Sequence, residues 1–349
     1  MAYSTINDPS AQFQTALWTG NGGTQSIVND GNANLQPDFL WTKRRNTAQN
    51  FHVVDSTRGV SKTLVTNDTD AEATKATGCT SFDTDGFSVG ADANFNNNSD
   101  TYVGWQWKAN GGTTSTNNDG SQPSTVQVNS TAGFSIVKRT GTGSAGATYG
   151  HGLGVVPDVI ISKGLNTNNW YSYFKGIGGG TKWLILDGDG AAVTDANMWN
   201  DTDATSSVFT VGNSGGSNGN GVEYIAYCFA SIKGYSKFGT FLGDGQTDGP
   251  FIYTGFKPAW VMTKNASSAG GWAIMDAARN PNNVQNKYLI ENTSDAEASG
   301  SSFDIDSNSN GFKIRANNGN INANGDTIVY MAFAENTLVG TNDTISLAR

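Results

Sequence analysis

Short runs that alternate large apolar residues with small or polar ones recur along the 349-residue chain, separated by Gly, Asn, Asp and Ser. In Tyr102-Val-Gly-Trp-Gln-Trp107, Val103, Trp105 and Trp107 share one side of an extended strand and Gly104 and Gln106 the other. Tyr224-Ile-Ala-Tyr-Cys-Phe229 and Ile328-Val-Tyr-Met-Ala-Phe333 show the same division, bulky against mostly small. Such strands predict a sheet with its bulky face on a core and a second layer close behind its small face. A second kind of strand is apolar on both faces: Phe39-Leu-Trp41, Val159-Ile-Ile161 and Trp260-Val-Met262. These predict central strands, and the Lys that soon follows each predicts an exit to solvent. Phe82-Asp-Thr-Asp-Gly-Phe87 and the segment 303–312 read as hairpins. No segment sustains a long 3.6-residue period, so the chain is expected to be all-β.

The two strand types belong to a larger recurrence. Pro37, Pro157 and Pro258 each precede a lysine by six residues, at Lys43, Lys163 and Lys264. A Gly-x-Gly lies upstream of each, at Gly20/Gly22, Gly141/Gly143 and Gly243/Gly245. Downstream come Phe51–Asp55, Trp170–Phe174 and Trp272–Asp276, then Lys62-x-Leu64, Lys182-x-Leu184 and Lys287-x-Leu289. Asp70-Ala-Glu-Ala73 returns as Asp295-Ala-Glu-Ala298, with a degenerate Gly190-Ala-Ala-Val193 between. Matches in constant order at near-constant spacing predict three tandem homologous antiparallel β-sandwich units of roughly 100 residues each. The expected boundaries are an N-terminal arm at 1–12, units at 13–109, 133–232 and 233–335, and a C-terminal tail at 336–349. The small, polar segment 110–132 reads as a linker that leaves the first unit offset from the other two.

Composition narrows the function. Aromatic residues are plentiful and charged ones few, which argues against disorder. A net charge of −9 makes nucleic-acid binding improbable, and the dense Lys43-Arg44-Arg45 cluster reads as a solvated strand edge. No run approaches a membrane span, so membrane insertion is not expected. The N-terminus has neither the basic nor the apolar region of a secretory leader, and synthesis in a cytoplasm is expected. Cys79 and Cys228 are too few for a disulfide framework and read as core residues.

Candidate chemistry is sparse. The glycines of 150–154 precede a strand, whereas a phosphate loop needs them to open a helix. The two histidines lack counterparts in the other units, His52 being matched by Tyr171 and Ala273, and each reads as a loop or partner-contact residue. His151, Tyr149 and Trp199 are the expected partner contacts. Glu72 and Glu297 of the recurring acidic motif are the candidates for carboxylate catalysis, with a turn or cap role preferred, so no catalytic residue is assigned. Asp304, Asp306, Asn308 and Asn310 resemble a calcium loop, but the glycine is displaced and Arg315 stands where a bidentate Glu is needed. A polar hairpin is expected there, with loosely bound Ca²⁺ as the one cofactor left open.

The stretches 150–163 (GHGLGVVPDVIISK), 206–213 (SSVFTVGN), 234–264 (GYSKFGTFLGDGQTDGPFIYTGFKPAWVMTK) and 328–336 (IVYMAFAEN) resemble a family of repetitive β-rich, tail fibre-like structural proteins. That family is encoded by marine bacteriophages, including those of cyanobacteria and SAR11-type bacteria. The resemblance implies a virion protein made in the host cytoplasm, surface-exposed and attaching to the host. Its implied partners are other virion proteins, further copies of itself as a homo-oligomer, and a host surface glycan or envelope protein. A capsid-decorating or tail-scaffold role is the alternative, and a polysaccharide depolymerase a remote one.

Overall fold

A computed structural model describes residues 4–337. Three large antiparallel sheets share one strand order. In the first it runs Phe13–Thr19, Thr101–Trp107, Phe39–Arg44, His52–Asp55, Lys62–Val65, Ala73–Thr74. The third repeats it with Ser236–Leu242, Thr327–Thr337, Phe256–Asn265, Ala273–Asp276, Lys287–Ile290 and Ala298–Ser299. The second does so from Phe134–Thr140 through Glu223–Phe229, Val159–Gly164, Trp170–Phe174 and Lys182–Ile185 to Val193–Thr194. It gains two strands, Ser124–Asn129 and Ser115–Asn117, along the edge of Phe134–Thr140. The segment 110–132 is therefore no free linker. Its Val126 and Gln127 are buried, and the added strands pair along an edge that carries no further strand in the other two sheets among the described residues.

The bulky alternate positions of the closing strands point one way, and they meet each other. Trp41, Trp105 and Trp107 of the first sheet, Ile161, Tyr227 and Phe229 of the second, and Trp260, Met331 and Phe333 of the third lie in one buried cluster. Three sandwiches in series, with one offset, would each need a private core. One shared core forms instead, because inner faces this large are buried most completely against each other. Ile6 joins that cluster and Pro9–Ala11 packs against the last strand, so the arm expected at 1–12 is docked on its own chain from Ser4 onward. Of the tail expected at 336–349, residues 338–349 lie outside the described residues.

Behind each large sheet sits a smaller one, which gives the local sandwich character. Strands Gln25–Ile27, Gly86–Val89 and Cys79–Asp83 cover the first, Ala147–Gly150 with Val208–Val211 the second, and Phe251–Tyr253, Gly311–Ile314 and Ile305–Asn308 the third. The small positions of the closing strands admit this layer. A Cβ at Gly104 would lie 3.1 Å from Leu40 and Trp18 and 3.4 Å from Phe87.

The Gly-x-Gly loops are fixed by buried asparagines that sequence inspection missed. A Cβ at Gly20, Gly141 or Gly243 would stand 2.1, 2.3 or 2.2 Å from a carbonyl oxygen, so only glycine fits. In the second sheet the Asn218 carboxamide accepts from Thr142 N at 2.8 Å and donates to Ser144 O at 2.8 Å and Gly212 O at 2.9 Å. Asn96 and Asn322 make the matching bonds in the first and third.

The sheets also grip one another in a closed ring. Asn168 N donates to Thr69 O (2.9 Å) and Glu72 N to Leu165 O (2.9 Å), joining second and first. Gly270 N donates to Asp189 O (2.8 Å) and Ala192 N to Ala266 O (2.9 Å), joining third and second. Gln49 N donates to Ser294 O (2.8 Å) and Glu297 N to Arg45 O (2.7 Å), closing first on third. Side chains follow suit. Tyr227 donates to Asp55 at 2.7 Å, Trp105 to Asp276 at 3.0 Å, Trp170 to Val65 O at 2.7 Å, and Trp272 to Ile185 O at 2.9 Å.

The strand-end lysines do not exit to solvent. Lys43, Lys163 and Lys264 are all buried, and each ammonium donates to backbone carbonyls. Lys43 reaches Ser294 O and Lys163 reaches Thr69 O across the ring, at 3.0 and 2.9 Å. Burial pulls the pKa of each down to about 8.

Candidate functional site

The residues singled out from the sequence do not assemble into a site. His151 and Tyr149 are 0% exposed and Trp199 1%, so none of the three has surface to offer a partner. The His151 ring lies 3.1 Å from Thr205 O, its Nδ1 accepts from Leu153 N at 3.2 Å, and burial holds its pKa below the usual value. It fixes the loop 150–154 by hydrogen bonds. The exposed aromatic side chains include Phe251 and Tyr253, on a strand of the outer layer and not in a loop.

Asp304, Asp306, Asn308 and Asn310 form a hairpin, not a cradle. Ile305–Asn308 is a strand paired with Gly311–Ile314, and Asp306 is bound by Arg315 at 3.0 Å. An extended strand spaces alternate side chains too far apart to wrap one ion. Among the described residues no group of three or more His, Cys, Asp or Glu could hold a metal.

The acidic motif is neither a turn nor a cap. It carries the backbone rungs that join the sheets, and its carboxylates are taken by arginines. Glu72 meets Arg58 at 3.1 Å; Glu297 accepts two bonds from Arg45, both at 2.9 Å, and meets Arg279 at 3.2 Å. Burial pushes the Glu297 carboxyl up, but the Arg45 hydrogen bond and the charges of Arg279 and Arg45 outweigh it and hold the pKa below the ordinary value. The basic cluster is likewise no solvated edge. Lys43 is buried, Arg44 pairs with Asp100 at 2.7 Å, and Arg45 belongs to the third sheet's Glu297.

What the structure does present is a groove on the outer face of the first sheet. Strand alternation sends Phe51, Val53 and Leu64 into the shared core and leaves His52, Thr63 and Val65 on the groove floor. Asp70, Ala71, Ala73 and Lys75 line the groove together with Asn94, Gln49 and Asn50. His52 and Thr63 are 3% and 2% exposed, and the Asn50 backbone lies against the His52 ring. Burial, helped by the Lys75 charge, lowers the His52 pKa to about 4 against the weaker pull of Asp92, so the imidazole is neutral near pH 7. Lys75 is itself held 3.5 Å from Asp92.

The other two sheets treat the same place differently. In the second, Tyr171 replaces His52 and Trp183 replaces Thr63, and the two rings pack edge to face 5.3 Å apart. In the third, Ala273 and Tyr288 take these positions, and a wider groove runs along Asp295, Ala296 and Ala298. The sequence held the signal in His52, a histidine its two counterparts lack. Its exposure could not be read, because the same alternation serves a core face and a groove floor.

The molecule is thus an all-β protein of antiparallel sheets around a common core, with shallow outer grooves. Residues 8–337 match a single protein family, described as a domain of unknown function (DUF7483), and the chain belongs to that family. The match runs unbroken through all three large sheets, as one shared core requires. No curated protein and no solved structure matches the chain.

Proposed function

We propose that this chain is a structural protein of a marine bacteriophage particle, a tail fibre-like appendage displayed at the surface for attachment to the host. In this reading a unit of roughly 100 residues occurs in three copies that have fused around one core. The observation that carries it is the closed ring of backbone hydrogen bonds, two at every junction between sheets. A ring so tied has no hinge and no cleft that must open, and local unfolding at a junction would expose buried Trp and Phe. Such a body suits a particle that must withstand proteases outside the cell.

Partners of this protein are then neighbouring virion proteins, further copies of itself and a host surface glycan or envelope protein. Depolymerase chemistry is disfavoured at the acidic motif, where Glu72 and Glu297 are committed to arginines. Antibody against the purified chain, applied to intact particles, should decorate the tail region, and the purified chain should compete with phage adsorption. Decoration of the capsid shell without competition would replace attachment by the decorating or scaffold role.

A further inference from the structure

We infer that the chain's own residues 338–349 fill a groove at the junction of the first and third sheets, lying along the edge of Phe13–Thr19. This groove, of about 490 Å³, is lined by Phe13, Gln14 and Thr15 from that edge and by Ala259, Ala277, Ala278 and Ala334 from the third unit. The threefold recurrence says what belongs there. By that recurrence Ala259 corresponds to Asp38, Ala277 and Ala278 to Ser56 and Thr57, and Ala334 to Lys108. Phe13 pairs with Trp107 as Phe134 pairs with Phe229, so Phe13, Gln14 and Thr15 correspond to Phe134, Ser135 and Ile136.

At the first–second junction these same positions are occupied. Ser124–Asn129 pairs along Phe134–Thr140, with Asn129 opposite Phe134 and Gln127 opposite Ile136. Gln127 Nε2 donates to the hydroxyls of Ser56 (2.9 Å) and Thr57 (2.8 Å), and Asn129 Nδ2 donates to Lys108 O (3.1 Å). The Asp38 carboxylate accepts from the backbone of Ala109, Gly111 and Gly112, which holds the chain as it leaves the first sheet. At the second–third junction the crease is closed by direct contact. A Cβ at Gly176, the counterpart of Ala278, would stand 2.9 Å from Thr240 of the edge strand. At the first–third junction neither filler is present among the described residues, and Leu17 on the same edge is 41% exposed.

Residues 338–349 follow Thr327–Thr337, whose Ala334 lines the groove, as 108–129 follow Thr101–Trp107. Thr344-Ile-Ser-Leu-Ala348 alternates polar and apolar positions as Thr125-Val-Gln-Val-Asn129 does. Such a segment reaches about 40 Å when extended, more than the roughly 23 Å of the edge strand. An edge strand presents unpaired N–H and C=O groups, and a tethered segment meets it at an effective concentration of about millimolar, ahead of the same segment on another copy.

Hydrogen exchange read by mass spectrometry tests this on the full chain. Peptides covering 13–19 and 338–349 should both be protected, equally at low and high protein concentration. The double change Ile345→Asp and Leu347→Asp should speed exchange in both by about tenfold or more, while Ser124–Asn129 stays as slow as in the parent and so reports an intact fold. The inference is overturned if 338–349 exchange at the rate of a free peptide, or if the double variant leaves 13–19 unchanged. Protection that rises with protein concentration, with light scattering giving a dimer that the double variant dissolves, would assign the groove to a second copy and overturn it equally.

Discussion

Phe333 tests whether the three sheets are one folding unit. It sits on the last strand of the third sheet, 1% exposed. Its ring centroid lies 5.3 Å from Phe13 and 5.4 Å from Trp107 of the first sheet, 6.0 Å from Phe229 of the second, and 5.8 Å from Trp260 of its own. Phe333→Ala would remove a ring that touches every sheet and leave a cavity that the surrounding Trp and Phe rings are too rigid to fill. Such a change costs about 3–5 kcal/mol. Guanidinium unfolding followed by Trp fluorescence and by far-UV circular dichroism should give one coincident transition for the parent. The variant should show it moved as a whole to lower denaturant with the slope preserved. The fluorescence reports on all three sheets, through Trp41, Trp170 and Trp272 among others. A biphasic curve in which one part of the signal shifts and the rest stays in place would refute the shared core.

Three further outcomes follow from named contacts. Asn218→Ala orphans the buried Gly212 carbonyl and leaves the half-buried Thr142 N–H and the exposed Ser144 carbonyl to water; a loss of about 1–3 kcal/mol is expected in the same assay, and under about 0.5 kcal/mol would contradict the loop-fixing role. Arg279→Met leaves Asp276 buried without its 2.5 Å partner; the expected loss is about 3–5 kcal/mol in the same assay, and a loss under about 1 kcal/mol would contradict the pair's role. Glu291 is fully buried; burial, opposed by the Thr66 hydroxyl and reinforced by the Asp187 charge, pushes its pKa well above the ordinary value. The folded chain therefore keeps a proton that the unfolded chain releases above about pH 4.3, and this group lowers stability by about 1.4 kcal/mol per pH unit until the folded carboxyl ionises. Glu291→Gln should remove that slope above about pH 5, and parallel curves for parent and variant would refute the assignment.

Strand identity was legible in the sequence because alternation is a local property. Val103, Trp105 and Trp107 had to share a face, and the strand Phe39–Arg44 had to be covered on both sides; Phe39 and Trp41 enter the shared core and Leu40 the layer behind. The hairpins at 82–87 and 303–312 were equally legible, since glycine and polar turn residues act within a few positions. What faced each bulky side was not. A sequence states that Trp107 must leave water but not that Phe333, from the far end of the chain, stands 5.4 Å away. For the same reason the lysines ending the central strands looked solvated and are buried. Ser294 O and Thr69 O, which hold Lys43 and Lys163, come from other sheets, and backbone carbonyls carry no mark in the sequence. The acidic motif looked like a cap and serves as a junction, and His52 looked incidental and floors a groove. The one-dimensional pattern determined which residues form strands and which side of each leaves water. The tertiary structure alone decided that three inner faces close on one another, because burial is satisfied by any apolar surface and only packing in space selects which.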